Sequence, residues 1–148
     1  MARVDFYRLS RDPAARVLPV LAEHVLAGGN RLLVVASDGA VRAAISEGLW
    51  AGKPDSFLAH GPADGERAAA EPILIASGVD AAPANGATMI ALADGVWRDE
   101  ALDFTRSFLL FDNSRIDDAR ATWRALGTRE GVERHFWKQE NGRWVEGP

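Results

Sequence analysis

The sequence predicts a three-layer α/β domain with a largely parallel central sheet. Three observations carry that reading. Continuous apolar runs of strand length, Leu32-Leu33-Val34-Val35-Ala36, Ile73-Leu74-Ile75-Ala76 and Phe108-Leu109-Leu110-Phe111, suit strands buried on both faces, as parallel strands are. Segments with helical spacing of apolar residues fall between the strand candidates, so strands and helices alternate. The 148 residues, 47% of them hydrophobic and 26% charged, amount to about one domain, and residues 1–148 are read as such. A chain of that length buries on the order of two-thirds of the surface its unfolded form exposes, enough for a core without metal or disulfide.

The elements follow in order. Val4 to Leu9 is the first strand candidate. Asp12-Pro13 reads as a helix start, with Asp as N-cap and Pro at the first helical position. Val17, Leu21 and Val25, with Leu18 beside them, make one apolar stripe of a helix ending near Ala27. Pro19 lies inside that helix and predicts a kink. After the strand Leu32–Ala36, Ser37-Asp38-Gly39 opens a helix from about Ala40 to Leu49. Phe57-Leu58-Ala59 is a short apolar piece within a Gly- and Pro-rich stretch, and Gly61 to Pro72 reads as a mobile loop. Ile73–Ala76 and Thr88–Leu92 are strands around a turn at Pro83 to Gly86. Asp99 to Phe104 reads as a short helix before the strand Phe108–Phe111. Asp112-Asn113-Ser114 supplies N-cap chemistry for a helix from about Arg115 to Leu126. In the tail, Asn141-Gly142 between aromatic segments is a hairpin-turn signal.

Composition excludes several functions. There is no cysteine, hence no disulfide scaffold, cysteine nucleophile or thiolate metal site. The net charge of -4 argues against a protein that coats bare nucleic acid. Met1-Ala2-Arg3-Val4-Asp5-Phe6 does not read as a secretory leader, and no apolar run approaches a membrane span, so the expectation is a soluble intracellular protein. Neither GxxxxGK[ST] nor GxGxxG is present. Ser37-Asp38-Gly39 could face a phosphate at a helix N-terminus, but an Asp-capped turn explains it as well. His24, His60 and His135 show no metal-ligand spacing, and Asp117-Asp118 suits the first turn of a helix better than an active site. No cofactor is expected.

What stands out is aromatic and basic. Of five tryptophans, Trp123, Trp137 and Trp144 fall in the last quarter. At 100° per residue, Ile116, Ala119, Trp123 and Leu126 form the apolar face of the last helix, and Arg120 and Arg124 border it one turn apart. From Arg115 onward seven basic residues outnumber six acidic ones. Such a face can clamp an acidic peptide that ends in an apolar group, can stack a nucleobase, or is a solvated helix border. A second cluster, Leu49, Trp50, Phe57 and Leu58, has the composition of an interface anchor or of a helix end packed on its own loop. A small nucleotide-binding α/β enzyme and a direct single-stranded-DNA binder remain as alternatives.

Several blocks stand in a telling order: Asp5-Phe6-Tyr7, Arg31-Leu32-Leu33-Val34 followed by Leu49-Trp50, Ser56-Phe57-Leu58-Ala59-His60-Gly61, Pro72-Ile73-Leu74-Ile75, and Ala119-Arg120, Trp123-Arg124 and Trp137-Lys138. Taken together, they resemble the chi subunit of bacterial DNA polymerase III. Ala59 stands where the family usually has proline, Trp123 where tyrosine is frequent and Arg124 where lysine is frequent. The resemblance implies a Rossmann-like fold without nucleotide binding. It implies a non-catalytic accessory subunit that links the clamp loader to single-stranded-DNA-binding protein, in the cytoplasm at the replication fork, and meets DNA only indirectly. By position, Arg120 and Arg124 would clamp that protein's acidic, phenylalanine-ended tail, Trp123 would wall the pocket and Arg134 would lie at its edge. Leu49, Trp50, Phe57 and Leu58 would face the psi subunit or another clamp-loader component. Residues 139–148 extend beyond the usual family end.

Overall fold

A computed structural model describes residues 2–51 and 58–147. Its strands β1 (Ala2–Arg8), β2 (Leu32–Val35), β3 (His60–Pro62), β4 (Ile73–Ala76), β5 (Met89–Leu92), β6 (Arg106–Phe111), β7 (Val132–Glu140) and β8 (Arg143–Glu146) form one sheet in the order β3-β4-β2-β5-β6-β1-β7-β8. Every pairing is parallel except β7 with β8. The predicted α/β class with a largely parallel sheet is therefore borne out.

The three-layer build follows from alternation along the buried strands. Leu32 and Val34, Ile73 and Ile75, Phe108 and Leu110 face helices α1 (Ala14–Ala27) and α2 (Gly39–Trp50), packing with Val17, Leu18, Leu21, Ile45 and Leu49. Their neighbours Leu33, Val35, Leu74, Leu109 and Phe111 face the opposite layer, with Ala119 and Leu126 of α3 (Ile116–Leu126) and with Ala101 and Phe104. A continuous apolar run thus serves both faces at once.

Several details differ from expectation. Asp12 does not cap α1: Pro13 is itself the N-cap, no side chain bonds the first amides, and Asp12 lies 3.7 Å from Arg16 instead. α1 runs unbroken through Pro19, which leaves the Ala15 carbonyl without its helical donor. At that carbonyl α2 makes its close approach, since a side-chain carbon on Gly48 would overlap the Ala15 oxygen. Asp38 caps α2 as read, accepting a 2.8 Å bond from the Ala40 amide. Asp112 caps a 3-10 turn, Asn113–Arg115, that leads into α3, and Asp99–Asp103 is 3-10 rather than α.

The segment Gly61 to Pro72, expected to be a mobile loop, is built into the fold. It begins in β3, paired with β4, and turns through a 3-10 segment whose Ala68 is buried. Arg31 donates to the Ala69 carbonyl at 2.9 Å, and the buried Asn85 amide donates to the Glu71 carbonyl at 3.0 Å. Partners distant in sequence hold it, which local composition does not reveal.

Asn141 and Gly142, with φ of 53° and 77°, form the turn between β7 and β8. Two left-handed residues in succession are what a tight hairpin of this hand requires. Trp144 meets the Tyr7 ring edge-on at 5.0 Å, and Trp137 stacks on Tyr7 at 6.3 Å.

Candidate functional site

α3 is amphipathic, with Asp117 and Asp118 in its first turn and Arg124 in its last, the arrangement that complements the helix dipole. Ala119 and Leu126 are buried. Trp123 is half-buried, meeting Phe6 at 5.3 Å and Phe136 at 5.7 Å, both edge-to-face. Phe6 and Phe136 stack on each other at 6.1 Å. This trio couples α3 to β1 and β7, and such pairs add about 0.5–1.5 kcal/mol each beyond their buried area.

Arg134 precedes Phe136 by two residues on β7 and so emerges on the α3 side of the sheet. Its guanidinium lies 4.1 Å over the Trp123 ring and donates from Nη1 to the Trp123 carbonyl at 2.6 Å. Arg120 and Arg124 are exposed on the outer border of α3. Among the described residues neither guanidinium has a hydrogen-bond or ion-pair partner. The structure therefore brings Arg134 to Trp123 and leaves Arg120 and Arg124 facing solvent on the same helix. Of the other tail cations, Arg129 pairs with Asp99 at 3.4 Å and Lys138 with Glu140 at 3.2 Å.

The second predicted cluster divides. Leu49 and Leu58 are buried in the core under α1 and α2, so they cannot touch a partner themselves. Their apolar character serves packing, the one use that composition could not separate from an interface. Phe57 lies outside the described residues. Trp50 is 55% exposed and sits 4.3 Å from the His60 ring. Both line a cleft of about 390 Å³ with Arg42, Ser46, Pro62 and Ile75. His60, which sequence placed at a loop rim, is buried. Its Nδ1 bonds the Leu58 carbonyl at 2.9 Å, so that nitrogen carries the proton and Nε2 accepts from the Ser46 hydroxyl at 2.8 Å.

A cavity of about 930 Å³ opens at the C-terminal ends of β1, β2, β5 and β6, where doubly wound sheets bind ligands. Its lining is acidic on balance, with four carboxylates, Asp12, Asp38, Asp94 and Asp112, against two cations, Arg11 and Arg115, which disfavours a polyphosphate. The Ser37 amide and hydroxyl are spent on Asp94, at 3.0 and 3.3 Å. Arg98 clasps both Asp94 oxygens at 2.9 Å. Burial pushes the Asp94 carboxyl up, but the Arg98 bonds and the Ser37 amide outweigh it and hold the pKa down at about 2. A fixed carboxylate thus occupies the place where a phosphate would be cradled. Among the described residues no group of three His, Cys, Asp or Glu could hold a metal, and no helix is long and apolar enough to cross a membrane.

A comparison with protein families identifies the DNA polymerase III chi subunit, HolC, over residues 1–141. The chain belongs to that family. No curated protein matches it. Membership makes this chi-family chain an accessory subunit of DNA polymerase III. The match stops at Asn141, so the second half of the tight turn and all of β8 lie beyond it.

One functional-looking group escaped sequence reasoning. Asp5, wholly buried, accepts bonds from Arg3 Nε and Nη2, each 3.1 Å, Arg106 Nε, 2.8 Å, and Trp137 Nε1, 2.9 Å. Burial pushes its carboxyl up, yet these donors outweigh burial and hold it below the ordinary carboxylate value. Tyr7 next to it is pushed up to about 12, first by burial and then by the Asp5 charge. The network pins β1, β6 and β7 together on the α1 and α2 side of the sheet, opposite α3. Only the polar residue within an otherwise strand-like run, Val4-Asp5-Phe6-Tyr7, hinted at it.

Proposed function

We propose that this chain is a non-catalytic adaptor of the DNA polymerase III holoenzyme. It grips the acidic, phenylalanine-ended C-terminal tail of single-stranded-DNA-binding protein and couples that protein to the clamp loader, in the cytoplasm at the replication fork. The observation that carries the reading is the unpartnered pair Arg120 and Arg124 on the α3 border, beside Arg134 over Trp123. Cations without internal partners are those free to make charge-assisted bonds to a ligand's carboxylates. The Trp50 cleft, on the other layer of the sheet, is the face for psi or another clamp-loader component, with Phe57 as its neighbour in sequence. Contact with DNA is then indirect, through the tail-bearing protein.

The deciding experiment is a pull-down with intact single-stranded-DNA-binding protein against the same protein lacking its terminal Phe. Retention of the intact form alone, with an affinity of about 1 μM falling as salt rises, is the expected result. Equal retention of both forms overturns the reading. Binding of a labelled oligonucleotide by the chain alone would favour direct single-strand recognition instead.

A further inference from the structure

The Trp123 ring is already occupied. Phe6 and Phe136 meet it edge-to-face, and the Arg134 guanidinium lies over it at 4.1 Å. A ligand ring cannot stack on the face that Arg134 covers. That guanidinium is pinned twice, by the ring beneath it and by the Trp123 carbonyl. It is also closely enclosed, because a side-chain carbon on Gly127 would fall 2.7–3.1 Å from Nη1, Cζ and Nη2. Gly127 has an ordinary helical φ of -64°, so room for Arg134, and not backbone freedom, is what its missing side chain provides. Of five guanidinium N–H groups, one is spent on the Trp123 carbonyl, and among the described residues no carboxylate pairs with the rest.

We propose that Arg134 is the specificity-determining cation of the α3 face, a carboxylate receptor preset by Trp123 and Gly127, with Trp123 serving as its seat and not as a surface for an incoming ring. The inference rests on the adaptor reading and names what that site selects. A guanidinium held flat, with one N–H on the Trp123 carbonyl and no carboxylate on the others, loses little freedom on meeting a ligand carboxylate, which favours recognition of that group. The carboxylate can be the chain end of the tail or an aspartate side chain within it.

Fluorescence anisotropy with the full chain tests this. Three labelled peptides serve as probes: a short acidic peptide ending in Phe with a free carboxylate, the same peptide amidated at its end, and the same peptide with Asp replaced by Asn. Two variants alter only the seat. Gly127→Ala keeps every cation and displaces the guanidinium, and Arg134→Lys keeps the charge and loses the fork. The wild-type chain is expected to prefer the free-acid peptide over one of the altered peptides by about tenfold or more. Whichever altered peptide is disfavoured identifies the source of the carboxylate. In both variants, with unchanged circular dichroism, that preference should shrink to about twofold. Full wild-type discrimination in both variants overturns the proposal, as does a wild-type chain that binds all three peptides equally. A wild-type chain that binds none overturns the adaptor reading, and this inference with it.

Discussion

Asp5→Ala is the substitution whose cost the geometry constrains most closely. The carboxylate is wholly buried and takes four bonds from Arg3, Arg106 and Trp137, at 2.8 to 3.1 Å. Removing it leaves two guanidinium groups and an indole N–H without their acceptor. Breaking a buried ion pair from one side costs about 3–5 kcal/mol. Here the Arg3 and Arg106 side chains keep 35% and 31% of their exposure, so water recovers part of what they lose. The low end of the range, about 3 kcal/mol, is therefore expected. For a chain of this size that corresponds to a fall in Tm of about 6–12 °C. Urea unfolding at neutral pH measures the free energy, and Asp5→Asn, nearly equal in volume, separates charge from cavity. Because the folded carboxyl is held below its ordinary value, the stabilisation is fully present above the unfolded pKa, about 3.9, and is lost as pH falls through the folded one. The wild-type and Asp5→Asn curves should then converge below about pH 4. A loss under about 1 kcal/mol for Asp5→Ala would show that the network contributes no more than a surface pair, and would refute this account.

Three further outcomes are expected. Arg124→Ala should weaken an acidic, Phe-ended tail peptide by about tenfold or more while leaving Tm unchanged, read by calorimetry; an unchanged Kd for both Arg124→Ala and Arg120→Ala places the site elsewhere. Gly48→Ala gains helix propensity but forces a methyl group onto the Ala15 backbone, so it should destabilise by about 1–3 kcal/mol in urea; a stabilised variant would mean that α1 and α2 are not in close contact there. His135, held between Glu133 and Glu146 at 2.8 and 3.2 Å, has its pKa raised, first by the Glu133 bond; Arg3 opposes the shift and Asp5 adds to it. Its contribution is fully present below about pH 6.5 and lost as pH rises through the raised folded value, so the Tm difference between wild type and Glu146→Gln should be widest near pH 5.5 and shrink as pH rises beyond about 6.5. A difference constant across that window argues against the pairing.

The layers were legible because each buried strand spells its burial twice, as Leu32-Leu33-Val34-Val35 does, one residue for each face. The α3 face was legible for a similar reason: helical spacing alone puts Ala119, Trp123 and Leu126 inward and Arg120 and Arg124 outward. What could not be read were relations between distant residues. Arg134 reaches Trp123 only because β7 pairs with β1 in the register that sets Phe136 against Phe6. Leu49 and Leu58 look the same in sequence whether they face a partner or the core, and only their packing beneath α1 and α2 decides. Gly61 to Pro72 has a loop's composition, but its anchors, Arg31 and Asn85, lie outside it.

The charge distribution gives the docking reading its physical basis. A net charge of -4 disfavours an acidic ligand at long range, so a site for one must rely on charges close at hand. The carboxylates around the large cavity are engaged within the chain: Asp38 with the Ala40 amide, Asp94 with Ser37 and Arg98, Asp112 with the Ser114 amide, and Asp12 beside Arg16. A phosphate-bearing ligand there would meet Arg11 and Arg115 but also face twice as many carboxylates. Arg120 and Arg124, by contrast, have no internal bond to surrender among the described residues, and Arg134 lies over Trp123 with one N–H on the Trp123 carbonyl and no carboxylate partner. An acidic tail bound at α3 as proposed would gain charge-assisted contacts without breaking any. That difference, more than the missing phosphate loops, is what favours the docking proposal over nucleotide binding at the sheet.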